Sequence, residues 1–342
     1  MPNITRRAFG ALSASALLSS ALPALAQARG RVIVGTWGGD YQSLQQANIV
    51  DTVLKDSGLQ VVFDPAAETV RKSKILAERR LPRGTMDVAC LTRQGTYEMY
   101  ANGALEELDE TKIPNLAKVH PFLRTKYSVP HMYTGRVILY NPKEVNPAPS
   151  SYADLWDPKY AGRVGVIDIQ YQNTIESAAM IAGGGPSNVE PGKEKLLELK
   201  KQGVKIYPTN EAMAQALKSG EVVMCIMWNA RGFMWKNAGI DVDVAIPKEG
   251  LALYISDVGV PKNAPNKEAA FAYLHAMLDE RPQAAFAEKM GYAPPNSTVT
   301  LDPALAAVID YKPDQQFVQP DLEYMAKVDA SLQSWWEKDF KS

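Results

Sequence analysis

A chain of 342 residues with 37 basic and 38 acidic side chains has a net charge of −1, far from the strongly basic balance of nucleic-acid binders. Its length exceeds what one compact core usually holds, so two domains are expected. The two cysteines, Cys90 and Cys225, are too few for a disulfide framework; both sit in apolar strand-like runs and are expected as free, buried thiols.

In chain order, residues 1–28 read as an export signal. Arg6 and Arg7 supply the positive start, an apolar small-residue stretch runs from Ala8 to about Leu22, and Pro23 breaks any helix. Ala24-Leu25-Ala26 and Ala26-Gln27-Ala28 both fit the small-x-small cleavage rule. Thr5-Arg6-Arg7-Ala8-Phe9-Gly10 resembles a twin-arginine address, with general Sec export as the alternative. The stretch is too short and too rich in Ser and Ala to span a bilayer, which takes about 20 apolar residues. A periplasmic location follows as the expectation. Cleavage removes two arginines and no acids, taking the net charge from −1 to −3.

Beyond the signal, short apolar strands alternate with amphipathic helices, the pattern of α/β layers. Strands are predicted at 31–36, 60–63, 86–91, 136–140, 163–167, 222–227, 241–246 and 254–260. Helices are predicted from about Asp40, and over 69–78, 95–102, 151–156, 173–181, 193–202, 211–218, 267–278, 282–289 and 321–340. Helices that return after a second set of strands predict lobes built from discontinuous segments.

Catalytic templates are missing: there is no H-E-x-x-H, C-x-x-C, G-x-S-x-G or phosphate-binding G-x-x-x-x-G-K-[ST]. His120, His131 and His275 are far apart, with no carboxylate or cysteine at ligand spacing. No enzyme, cofactor or metal is expected, although a secreted hydrolase using scattered acids stays open as another class.

Several segments, in order, resemble the polyamine-type branch of ABC-importer solute-binding proteins, the spermidine/putrescine-binding family. They are VGTWGGDY near the start of the exported chain, MDVACLT (86–92), SYADLWDPKYAGRVGV (151–166), LKSGEVVMCIMWN (217–229), AGIDVDVAIPKEG (238–250) and MGYAPPN (290–296). The resemblance implies a two-lobed type II periplasmic binding fold, each lobe a mixed sheet flanked by helices, closing like a hinged clamp on a small-molecule solute delivered to permease subunits. It implies hinges near 133–136 and 254–257, a third passage around 301–305, and a monomer. The lobes are expected at 29–135 plus 257–303 and at 136–256 plus 304–342.

Open α/β sheets bind ligands beyond the carboxyl ends of their strands. Trp37, Arg93, Asp168, Trp228 and Tyr254 follow or end predicted strands there, and Asp40, Tyr41, Tyr133, Arg231, Ser256 and Asp257 complete the candidate ligand-binding set. In polyamine binders, as the resemblance implies, aromatic faces sandwich the polycation and carboxylates pair with its ammonium groups. Here Ser256 falls where that pattern wants an acid, with Asp257 adjacent, and IQYQNT after Asp168 lacks the second acid. Arg93 replaces an expected aromatic, and Arg231 follows the WN of the second lobe. Guanidinium groups repel a polycation and favour carboxylate or phosphonate. The leading expectation is therefore an anion-bearing solute clamped by Arg93 and Arg231. The alternatives are a polyamine held by Asp40, Asp168 and Asp257 and, more remotely, ferric ion.

Overall fold

The computed structural model describes residues 30–311 and 315–342, so the export signal expected at 1–28 lies outside the described residues. Among the described residues, ten strands follow in chain order. They are β1 (Gly30–Thr36), β2 (Leu59–Pro65), β3 (Val88–Thr92), β4 (Val129–Tyr140), β5 (Val164–Ile167), β6 (Lys205–Tyr207), β7 (Met224–Trp228), β8 (Asp243–Ala245), β9 (Leu251–Gly259) and β10 (Phe317–Val318).

Their order, β2-β1-β3-β9-β4-β7-β5-β6, makes one continuous sheet that serves two lobes. In the first lobe β1 lies parallel to both β2 and β3, and β9 runs antiparallel to β3. In the second, β5 lies parallel to β6 and β7, and β7 runs antiparallel to β4.

Two long strands join the halves. β4 pairs with β9 from Val129 to Gly135 and then with β7 and β8 from Arg136 to Tyr140. The change of partner falls within 133–136, where the first hinge is expected. Where the third passage is expected lies the helix Pro303–Ile309, after which Tyr311 packs its ring on Tyr133 and accepts the backbone N–H of Gly135.

Both faces of these strands are covered. Along β4, Ile138 and Tyr140 enter one core with Val164, Leu196 and Trp336, while Val137 and Leu139 enter another with Met227, Leu217 and Trp235. β3 divides likewise, with Val88 and Cys90 on the first lobe's main core and Ala89 and Leu91 on a smaller one beneath the helix Glu68–Glu78. Burial on both faces produces the continuous apolar runs seen in sequence, as expected where helices flank both sides of parallel strands. Cys90 and Cys225 lie in two of these cores, unpaired, as expected.

Most predicted elements are present within a few residues of their bounds. β4 is much longer than the predicted 136–140, because its residues from Val129 to Gly135 are held as strand by pairing with β9. Among them, Gly135 has no positive φ to satisfy. It is small because a Cβ there would meet Leu251 at 2.6 Å. β6, β10 and the helix Pro303–Ile309 were not predicted.

Candidate functional site

A cavity of about 610 Å³ lies between the lobes. Its walls come from residues just past the carboxyl ends of parallel strands and from the long shared strands. Trp37 follows β1, Arg93 follows β3, residues 169–173 follow β5, and Trp228 ends β7, while Arg136 lies on β4 and residues 252–255 on β9. At Trp37 the chain turns through Gly38 and Gly39, whose φ values of 80° and 54° only glycine adopts freely.

Five residues of the candidate set line this cavity: Trp37, Arg93, Trp228, Arg231 and Tyr254. The guanidinium of buried Arg71 stands over the Trp37 ring, with Cζ 4.4 Å from its centroid. The Tyr254 ring tilts against Trp228 at 5.0 Å and against Tyr292 at 6.1 Å. Burial pushes the Tyr254 and Tyr292 hydroxyls up, and the guanidinium of Arg231 opposes the rise at both. Arg231 lies against the Tyr292 hydroxyl, with its Nε buried and unpartnered among the described residues; its nearest carboxylate is exposed Glu211, at 3.8 Å.

The other six lie elsewhere, each for a physical reason, and this corrects the expected carboxylates above all. Asp257 is fully buried behind Arg93, accepting from its Nε and Nη2 and from the hydroxyls of Thr96 (3.2 Å) and Ser128 (3.0 Å). That pairing consumes the charge of Arg93, so Arg93 is not a free clamp. Asp168 turns to the C-terminal helix, where Trp336 Nε1 (2.7 Å) and Lys341 Nζ (2.9 Å) donate to it. Asp40 is exposed in the first turn of the helix Gly39–Gln45, outside the cavity lining. Tyr41 is buried, its hydroxyl bonded to His131 Nδ1 and its ring 5.4 Å from Phe286. Tyr133 packs among Phe122 and Tyr311, and Ser256 is fully buried with Oγ unpartnered.

Sequence reasoning missed Arg136, Glu68, Glu176, Tyr292 and Asp329, all of which line the cavity. Arg136 is 1% exposed and donates through Nη1 to Asn173 O (3.0 Å) and Glu176 Oε2 (3.2 Å). Burial opposes its charge, but Glu176 and Tyr152 outweigh that and hold it protonated. One signal was available: Arg136 is the only arginine or lysine in the twelve-residue strand β4. Glu68 gave none, since an acid in a helix's first turn is ordinary dipole chemistry.

Several charges in the lining are matched internally. Lys72 pairs with Glu98, and Arg136 with Glu176. Asp329 accepts from Tyr171 and Gln172, and Asp321 caps the helix Leu322–Trp335. Among the described residues, four donor nitrogens on lining residues are buried without an acceptor: Trp37 Nε1, Arg136 Nε and Nη2, and Arg231 Nε.

Two lobes sharing long strands around a polar cleft define a substrate-binding protein of the type II periplasmic fold. More particularly, the chain belongs to the bacterial extracellular solute-binding protein family, whose model matches residues 48–313. The spermidine/putrescine-binding periplasmic protein of Escherichia coli (strain K12) is 26% identical over 286 residues, covering 79% of this chain and 81% of that protein. An ABC-transporter substrate-binding protein from Bradyrhizobium japonicum USDA 110 superposes with a TM-score of 0.78 at 25% identity, over 92% of this chain and 100% of that one. A protein described as a GABA receptor superposes with a TM-score of 0.79 at 24% identity, over 90% and 96%. Members of this family are not enzymes; they capture small solutes for the permeases of ABC transporters.

Proposed function

We propose that this protein captures a small organic solute bearing a carboxylate or phosphonate group, with Arg231 and Arg136 as its donors and Trp37, Trp228 and Tyr254 as its aromatic walls. The observation that carries this is the set of unpartnered donors. Each buried N–H left without an acceptor costs about 1–3 kcal/mol. A carboxylate or phosphonate supplies the kind of acceptor oxygen that Trp37 Nε1, Arg136 Nε and Nη2 and Arg231 Nε lack. A polyamine brings only donors and would leave all four orphaned.

The Trp37 face supports the same conclusion. Arg71 already holds one side of the ring, which weakens the aromatic sandwich a polycation needs. The acids first considered for a polyamine, Asp40, Asp168 and Asp257, are absent from the lining. What favours the polyamine alternative is the naming of relatives as spermidine/putrescine-binding, together with the lining carboxylates Glu68, Glu98, Glu176, Asp321 and Asp329. A thermal-shift screen decides between the two. Stabilisation by carboxylates or phosphonates is expected, and stabilisation by putrescine or spermidine alone would sink the anionic assignment.

The finer organisation belongs to the same proposal. The signal at 1–28 directs export through the twin-arginine or Sec machinery and is cleaved after Ala26 or Ala28, releasing a periplasmic monomer. Its lobes comprise 29–135 plus 257–303 and 136–256 plus 304–342. The two lobes close on the solute and dock on the permease subunits of an ABC importer. No cofactor, metal or catalytic step is part of this proposal. Native mass spectrometry of mildly purified protein tests it, because a retained solute released unchanged separates capture from turnover.

A further inference from the structure

Among the lining carboxylates, Glu68, Asp321 and Asp329 form no ion pair with a lysine or arginine among the described residues, and Glu68 is the one on the first-lobe wall. It opens the helix Glu68–Glu78 on the first-lobe wall, and its Oε1 accepts from the backbone N–H (3.2 Å) and hydroxyl (2.8 Å) of Thr92. No lysine or arginine forms an ion pair with it among the described residues. Its helical neighbours are committed elsewhere, Lys72 to Glu98 and Arg71 to the carbonyls of Cys90, Thr36 and Ala66.

Across the cavity, Arg136 and Arg231 present guanidinium groups with unpartnered N–H donors. The strand register sets the separation. Thr92 pairs with Ser256 and Ser256 with Met132, so Arg136 lies four residues further along β4, about 13 Å of strand rise from the level of Thr92. The first lobe thus contributes an anion without an ion pair, Glu68, and the second lobe Arg231, whose nearest carboxylate is exposed Glu211 at 3.8 Å, while Arg136 is paired with Glu176.

Resting on the anion-binding reading above, we propose that Glu68 receives a cationic group of the same solute, so that the cargo is zwitterionic, with an ammonium or guanidinium several bonds from its carboxylate. A solute of this class meets Glu68 and Arg231 at once, whereas a dicarboxylate would set a second anion against Glu68. Burial pushes the Glu68 carboxyl up, opposed by its Thr92 bonds and the positive field of Lys72 and Arg71; an arriving cation would relieve that cost.

The test compares unbranched ω-amino acids, from glycine to 6-aminohexanoate, with their deamino and dicarboxylate counterparts, by calorimetry on the wild type and on Glu68→Gln. The amide keeps an oxygen for Thr92 and removes only the charge, and the ligand-free melting temperature checks that the fold is kept. At least one ω-amino acid is expected to outbind its deamino and dicarboxylate counterparts by about tenfold or more, the scale of a charge-assisted hydrogen bond. Glu68→Gln is expected to erase that preference, bringing the ω-amino acid to the level of its deamino counterpart in the same variant. Equal binding of amino and deamino compounds, or a Glu68→Gln protein that keeps the preference, would overturn the zwitterion proposal and leave the anion site standing. Binding of diamines with no carboxylate bound at all would overturn the anion site itself.

Discussion

At the scale of single residues, what a charge does in this protein depends on who has already claimed it. Arg93 and Asp257 hold each other, Asp168 holds the C-terminal helix, and Arg231, beside Tyr254 and Tyr292, has only exposed Glu211 at 3.8 Å as its carboxylate. Arg231→Gln is therefore expected to weaken binding of the anionic solute by roughly 10–100-fold, the value of one or two charged hydrogen bonds, while unfolding free energy changes by less than about 0.5 kcal/mol. Asp168→Asn should do the reverse. It loosens a partly exposed pair worth up to about 1 kcal/mol and leaves affinity within about twofold. Calorimetry and urea unfolding on the two variants read both quantities. A sequence shows that an arginine or aspartate follows a strand, and that much was legible for Trp37, Arg93, Trp228 and Arg231. Which partner consumes its charge was not, because Arg93 and Asp257 are 164 residues apart in the chain.

Among the elements, β4 carries the most information per residue. Gly135 sits where the strand leaves its first-lobe partner, and a methyl group there would press on Cγ of Leu251 at 2.6 Å. Gly135→Ala is expected to cost about 1–3 kcal/mol, read as a lower urea midpoint with an unchanged slope. His131, on the same strand, is fully buried, and burial pushes its pKa down to about 3. An unfolded chain binds the His131 proton below about pH 6.5 while the native protein refuses it until about pH 3, so stability falls as pH drops through that window. Between pH 7 and pH 5 this residue should account for about 2 kcal/mol of lost stability. The difference in acid slope between wild type and His131→Gln isolates it, and parallel slopes would refute the assignment. β4 was only half legible in sequence, since its extension over Val129–Gly135 rests on pairing with β9, more than a hundred residues further along the chain.

For the whole molecule, a cleft between lobes joined by shared strands predicts closure on binding. Small-angle scattering should show a smaller radius of gyration with solute than without. Tryptophan fluorescence should shift as well, because Trp37 and Trp228 both line the cavity. Solute at a hundred times its dissociation constant should add about 2.7 kcal/mol to unfolding free energy. An unchanged radius at saturating solute would mean that capture occurs without lobe motion.

The amino-acid sequence by itself determined the α/β class, the place of most elements and the family, because hydrophobic periodicity, turn residues and ordered motifs are local properties of the chain. It also placed five cavity residues, since strand ends are visible from the strands themselves. The tertiary structure alone decided which charges are spent and which are free: that Arg71 covers Trp37, that Asp168 and Asp257 are held away from the cavity, and that Arg136 and Glu68 face it instead. Ion pairing is settled by distances across the fold, between residues whose separation along the chain carries no signal.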